Sequence, residues 1–223
     1  MENQVIELVL FDLDGTLLTL NFNAEKTRSE LHDYYRSEHG LDLFFKPVLQ
    51  RIDGAERLIE ERKGMAEARA ATARALEILR KNEVEALVGA RLLPKACEAV
   101  SAFREKGIRV GVFSRTTRSA VEAAIETYGL GPFDTVISRE DTALTKPSPE
   151  PVQLAISQFK TKPEECLVVG DHPYDMLSGK RAGALTAGVL TGLAGKKDLL
   201  DAGADYIFDD LRGLVLAFLG VKL

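Results

Sequence analysis

The sequence predicts an α/β fold: a Rossmann-like parallel sheet core with an inserted α-helical segment. Three observations predict it. An apolar run over residues 5–11 ends abruptly in Asp12 and Asp14, followed by Gly15-Thr16. From about Leu92 onward, short apolar strands alternate with amphipathic helices, the pattern of a parallel sheet. Between these regions, residues 20–88 show helical spacing and no strand pattern.

The first run reads as a strand buried on both faces, because it lacks the polar alternation of a half-exposed strand. Open α/β sheets bind ligands at the carboxyl ends of such strands. Alternation sends Asp12 and Asp14 to one face and Leu13 to the other. Gly15 supplies the sharp departure of the backbone. An ordinary Asp-Gly hairpin is the competing reading, but it leaves Asp12 at a buried strand end without a partner.

In the insert, Leu31, Tyr34 and Tyr35 share one helical face, with Gly40 as a stop. Val48, Leu49, Ile52, Ala55 and Ile59 continue at helical spacing, and the Ala/Glu/Arg-rich run 65–79 has high helix propensity. Beyond it, a helix carrying Ala96, Ala99, Val100 and Phe103 ends at Gly107. A strand over 108–113, a helix over 119–128, a strand over 135–137 and a helix over 150–159 follow. A strand over 166–169, a helix over 176–182 and a strand over 185–189 complete the repeat. A short strand at 206–208 precedes a terminal helix over 211–219. The expected domains are therefore 1–19 with 89–223 as the core, and 20–88 as the helical insert.

Composition narrows the function. The 223 residues are 45% hydrophobic and 28% charged, ordinary for a globular protein. A net charge of −5 argues against a nucleic-acid binder, which usually presents a basic face. No apolar stretch is long enough to span a bilayer, and Met1-Glu2-Asn3-Gln4 lacks the positive region of a secretory signal. Cys97 and Cys166 form neither a metal spacing nor a disulfide framework, so a reducing cytoplasm is the expected compartment. No membrane or nucleic-acid partner is expected.

Four segments carry a resemblance. The run ending Asp12-Leu13-Asp14-Gly15-Thr16 resembles the nucleophile motif of the haloacid dehalogenase superfamily. Arg109-Val110-Gly111-Val112-Phe113-Ser114 is similar to its second motif, a strand ending in Ser or Thr. Thr145-Lys146-Pro147 matches the third, and Gly170-Asp171 with Asp175 matches the fourth. They occur in family order and cover essentially the whole chain. Lys146-Pro147-Ser148-Pro149-Glu150-Pro151, residues 179–183 and the stretch 202–207 resemble the phosphoglycolate phosphatase branch. The helical insert resembles the superfamily's cap and is expected to act as a mobile lid.

The resemblance implies a Mg²⁺-dependent phosphatase acting on a small phosphate ester. It implies Asp12 as nucleophile and Asp14 as the acid that protonates the leaving oxygen, then as the base toward water. Ser114 and Lys146 would bind the phosphoryl group. Asp12 and Asp171 would ligate the metal through side chains and Asp14 through its carbonyl; Asp175 fits either as a direct ligand or one shell out. Because the resemblance brings Asp12, Asp14, Asp171 and Asp175 together on a phosphate with Lys146 as the obvious positive partner, a cation is expected, and the absence of a His/Cys cluster favours Mg²⁺.

Arg115 stands where superfamily members often have Asn. It suits a second carboxylate or phosphate of the substrate, or pairing with Glu140 or Asp141 as scaffold. Lys63, before Gly64 between two insert helices, is a further substrate-binding candidate beside its reading as a surface turn. His172 is read as an exposed loop residue next to Asp171. The rival readings are a phosphomutase of the β-phosphoglucomutase type and a non-catalytic binding protein on the same scaffold. The second need not keep Asp12, Asp14 and Lys146 together.

Overall fold

The computed structural model describes residues 5–223; the four residues read above for a secretory signal lie outside the described residues. The chain divides into two compact units, one formed by residues up to Leu20 with Gly89–Leu223, the other by Asn21–Val88. In chain order, β1 (Leu8–Phe11) and β2 (Leu18–Thr19) lead into the helices α1 (Ala24–His39), α2 (Val48–Lys63) and α3 (Met65–Glu85). Then come β3 (Arg91–Leu92), α4 (Ala96–Glu105), β4 (Arg109–Phe113), α5 (Arg118–Tyr128) and β5 (Thr135–Ile137). The chain ends with α6 (Glu150–Phe159), β6 (Cys166–Gly170), α7 (Pro173–Ala182), β7 (Leu185–Val189), α8 (Lys196–Asp201), β8 (Tyr206–Phe208) and α9 (Leu211–Leu219).

Six strands form one parallel sheet in the order β5-β4-β1-β6-β7-β8. The first strand lies near the middle because every residue from Leu8 to Phe11 is fully buried and needs cover on both faces. Leu8 and Leu10 pack with Phe113, Ile137, Val152 and Val168 in one apolar cluster. The alternate residue Phe11 meets the Phe103 ring of α4 edge-on at 6.0 Å. Each apolar side chain buried in this way contributes about 1.5–3 kcal/mol.

The chain runs outward from β1 through β4 to β5, then returns to β6 on the other side of β1 and continues to β8. The direction of winding therefore reverses between β1 and β6, the crevice where such sheets take ligands. Phe11 aligns with Val112 on one side and Val169 on the other. Asp12, Ser114 and Asp171 consequently leave the sheet at one edge.

Several expected boundaries move. The strand expected over 5–11 begins at Leu8, while Val5 is exposed. The helix expected over 176–182 begins at Pro173, because His172 caps it and Pro173 takes the first helical position, where its missing N–H costs nothing. The two-residue ladder between β2 and β3 and the short polar helix α8 were not expected.

The helical unit has its own core. Leu31 and Tyr35 of α1 and Ile52, Ala55 and Ile59 of α2 cluster with Ala68, Ala71 and Ala75 of α3. Gly64 separates α2 from α3 with φ +86°, a conformation that side-chain-bearing residues rarely adopt. Among the described residues no helix is long and apolar enough to cross a membrane.

Candidate active site

Asp12, the first residue past β1, stays anchored to the sheet through its amide, which donates to the Val169 carbonyl at 2.8 Å. Its carboxylate accepts from Lys146, whose Nζ also donates to Asp175 Oδ1 at 2.6 Å and to the Phe113 carbonyl at 3.2 Å. Lys146 stands over the Phe113 ring, 4.0 Å from its centroid. All three charged side chains are buried. Asp175 uses its other oxygen to accept from the His172 amide at 3.0 Å, which closes the first turn of α7. One carboxylate thus shapes a helix start and meets the buried lysine.

The lysine loop is itself tied to α7. Ser178 Oγ donates to the Ser148 carbonyl at 2.6 Å, and Arg181 donates to the Pro147 carbonyl at 2.9 Å. The helix that carries Asp175 therefore fixes the segment that carries Lys146.

Asp171 lies in a cradle. Thr16 Oγ1 donates to its Oδ1 at 3.3 Å, and Thr191 Oγ1 donates to the Gly15 carbonyl at 2.6 Å. A β-carbon at Gly15 would stand 2.4 Å from Asp171 Oδ2, and one at Gly192 only 1.7 Å from it. Gly15 also adopts φ +87°. Both positions accommodate the carboxylate by lacking a side chain.

Oxygens of Asp12, Asp171 and Asp175 lie within 4.8 Å of one another. Three carboxylates against the single ammonium of Lys146 leave uncompensated negative charge in a buried place. Burial, reinforced by Asp175 and Asp171 and opposed by Lys146, raises Asp12 well above the usual carboxylate range. Burial and the Asp175 charge push Asp171 up to about 6. Burial pulls Lys146 down, yet Asp12 and Asp175 together raise it above the ordinary lysine value. A buried, all-oxygen donor set with excess negative charge suits a hard divalent cation.

Asp14 departs from the expected convergence of four carboxylates. Its side chain lies outside the cluster, with Oδ1 accepting from the Leu20 amide at 2.7 Å, because the chain leaves sheet geometry at Phe11 and strand alternation no longer governs it. Crowding by surrounding protein raises the carboxyl above the ordinary aspartate value, against the Leu20 amide and Lys146. Ser114 is buried at the end of β4, where its Oγ accepts from the Thr116 amide at 3.1 Å.

Arg115 does not pair with Glu140 or Asp141. Arg118 takes both, its amide donating to Glu140 (2.8 Å) and its guanidinium donating to Asp141 (2.7 Å). The Arg115 guanidinium lies instead over the Tyr174 ring, 5.2 Å from its centroid. His172 is exposed, as expected, and serves as the N-cap of α7, its Nδ1 accepting from the Tyr174 amide at 3.0 Å. Crowding by surrounding protein lowers its pKa, with Arg115 and Lys146 acting in the same sense and Asp175 against. Lys63 is exposed at the end of α2 in the other unit.

Thr16, Thr191 and Gly192 went unassigned in the sequence. The only signals were the Gly-Thr after Asp14 and the Thr-Gly just past β7.

Comparison with known proteins places the chain. A family model of haloacid dehalogenase-like hydrolases matches residues 6–183. The chain belongs to that hydrolase family. Among curated members, the protein named pyrophosphatase PpaX from Anoxybacillus flavithermus is 32% identical over 222 residues, covering 97% of this chain and 98% of the relative. Pyrophosphatase PpaX from Oceanobacillus iheyensis is 31% identical, covering 94% and 95%. The solved structure of a hydrolase from Pseudomonas syringae superposes with a TM-score of 0.71 at 20% identity, covering 96% and 98%, and shares the haloacid dehalogenase-like fold.

Proposed function

We propose that this haloacid dehalogenase-like hydrolase is a Mg²⁺-dependent phosphatase of small phosphorylated compounds, working through an aspartyl phosphate on Asp12, in the cytoplasm. The observation that carries the reading is the bridge from buried Lys146 to both Asp12 and Asp175 beside Asp171. The curated relatives bear the name pyrophosphatase, which makes inorganic pyrophosphate the first substrate to test.

Asp12 and Asp171 would hold the Mg²⁺ through side chains and Asp14 through its carbonyl, with Asp175 either a direct ligand or one shell out, and the ion when bound would supply neutralisation of phosphoryl oxygens. One Asp12 oxygen attacks phosphorus as the bond to the leaving oxygen breaks. The departing electron pair takes its proton from Asp14. Water then attacks the phosphorus of the aspartyl phosphate and gives a proton to Asp14, and the bond to Asp12 breaks to restore its carboxylate. Leu20 holds only one oxygen of Asp14, leaving the other to carry the proton. Lys146 compensates the charge that builds on the phosphoryl group, and the Ser114 hydroxyl donates to it.

The test is Asp12→Asn, which keeps side-chain size but cannot attack phosphorus. With Mg²⁺ present, phosphate release from pyrophosphate and from p-nitrophenyl phosphate should vanish while the circular dichroism spectrum is unchanged. Turnover retained in the folded variant would overturn the covalent reading.

A further inference from the structure

We infer that Arg115, held on the Tyr174 ring, forms a subsite for a second oxyanion of the substrate, beyond the phosphoryl group under attack. The inference rests on the phosphatase reading above and names the substrate class: phosphorylated compounds with two anionic ends.

Arg115 directly follows Ser114 at the end of β4, and Tyr174 directly precedes Asp175 in the first turn of α7. The guanidinium, 5.2 Å from the ring centroid, therefore bridges two segments that each deliver a residue to the carboxylate site. Nothing acidic neutralises it among the described residues, since the two acids within reach by sequence are bound to Arg118. Its Nε is buried and has no hydrogen-bond partner. That nitrogen is closed to a ligand, so the contact falls to the terminal Nη groups of this half-buried side chain. Stacking on an aromatic face leaves the in-plane N–H groups of guanidinium free for a bidentate contact. The scaffold for such a contact is present, with the Arg115 carbonyl accepting from Arg139 at 3.1 Å and Tyr174 fixed in α7.

The second oxyanion can be a phosphate, as in pyrophosphate, or a carboxylate, as in phosphoglycolate. Titration calorimetry in Mg²⁺ separates them with three non-hydrolysable probes: methylenediphosphonate, 3-phosphonopropionate and methylphosphonate. Arg115→Ala should weaken at least one two-headed probe by about ten- to a hundred-fold, the loss of a charge-assisted bidentate contact. Methylphosphonate should bind as before. Arg115→Lys should recover part of the loss, and Tyr174→Leu should share it. The probe most affected identifies the class. Unchanged affinity for both two-headed probes, or an equal loss for methylphosphonate, overturns the inference. Phosphate release by the wild type is measured separately on pyrophosphate and p-nitrophenyl phosphate, so a failure of the phosphatase reading shows there while the binding data still judge Arg115.

Discussion

Gly192 and Asp171 are packed so closely that a β-carbon on residue 192 would stand 1.7 Å from Asp171 Oδ2. A bare backbone thus sets where this carboxylate points, and no charged neighbour could have announced it. Gly192→Ala should turn Asp171 out of the cluster and weaken apparent Mg²⁺ affinity by about 10–100-fold, the usual cost of disturbing the groups that orient metal ligands. Titrating activity with Mg²⁺ measures it. An unchanged half-saturation would show that the cradle does not position Asp171.

The raised carboxyls give the metal-free protein an unusual pH dependence. Asp171, pushed up to about 6 chiefly by burial, binds its proton more tightly folded than unfolded. Between roughly pH 4 and 6 the folded state holds more protons, so stability falls as pH rises, by about 3 kcal/mol at most. Asp12, raised by burial, acts in the same direction. Surface acids held low, such as Glu77 under its Arg80 hydrogen bonds, finish titrating at lower pH. Thermal unfolding in EDTA should show a higher Tm at pH 5 than at pH 7. Added Mg²⁺ should reverse the order, because its ligands must be ionised. A chelated protein more stable at pH 7 contradicts the cluster's electrostatics.

Lys146→Met leaves Asp12 and Asp175 without their shared cation. Removing one partner of a buried ion pair costs about 3–5 kcal/mol, and urea unfolding at pH 7 in EDTA should show a loss of that order. Phosphatase activity should fall with it even where the variant remains folded. A variant as stable as the wild type would mean that the buried lysine compensates nothing.

Excision of the helical unit tests its part in substrate choice. Leu18 pairs with Leu92 and Thr19 with Arg91, so the chain leaves for and returns from Asn21–Val88 along one antiparallel ladder that a short linker can close. The excised core should keep activity on p-nitrophenyl phosphate and lose much more on pyrophosphate. Equal losses on both would make the unit structural only.

The sequence was most legible where burial is two-sided. Residues 8–11, 110–113 and 166–170 are apolar runs covered on both faces, and each ends in a chemical residue at the sheet edge, so both strand and site showed. Legibility failed where periodicity carries no information. The first turn of α7 is Pro173-Tyr174-Asp175, which begins before the apolar spacing and is set by the His172 cap. β2 and β3 are two residues each, too short for any pattern. Asp14 turns out of the cluster because strand alternation ends with the last strand residue, Phe11. Thr191 and Gly192 act through loop position, which tertiary packing alone decides.

The central claim is that phosphorus passes through Asp12. Rapid acid quench of the wild type during turnover of ³²P-labelled substrate in Mg²⁺, followed by peptide mapping, tests it most directly. Hydroxylamine-labile label is expected on the peptide containing Asp12, and none in Asp12→Asn. Label on another peptide, or undiminished turnover by Asp12→Asn with no label at all, would contradict it.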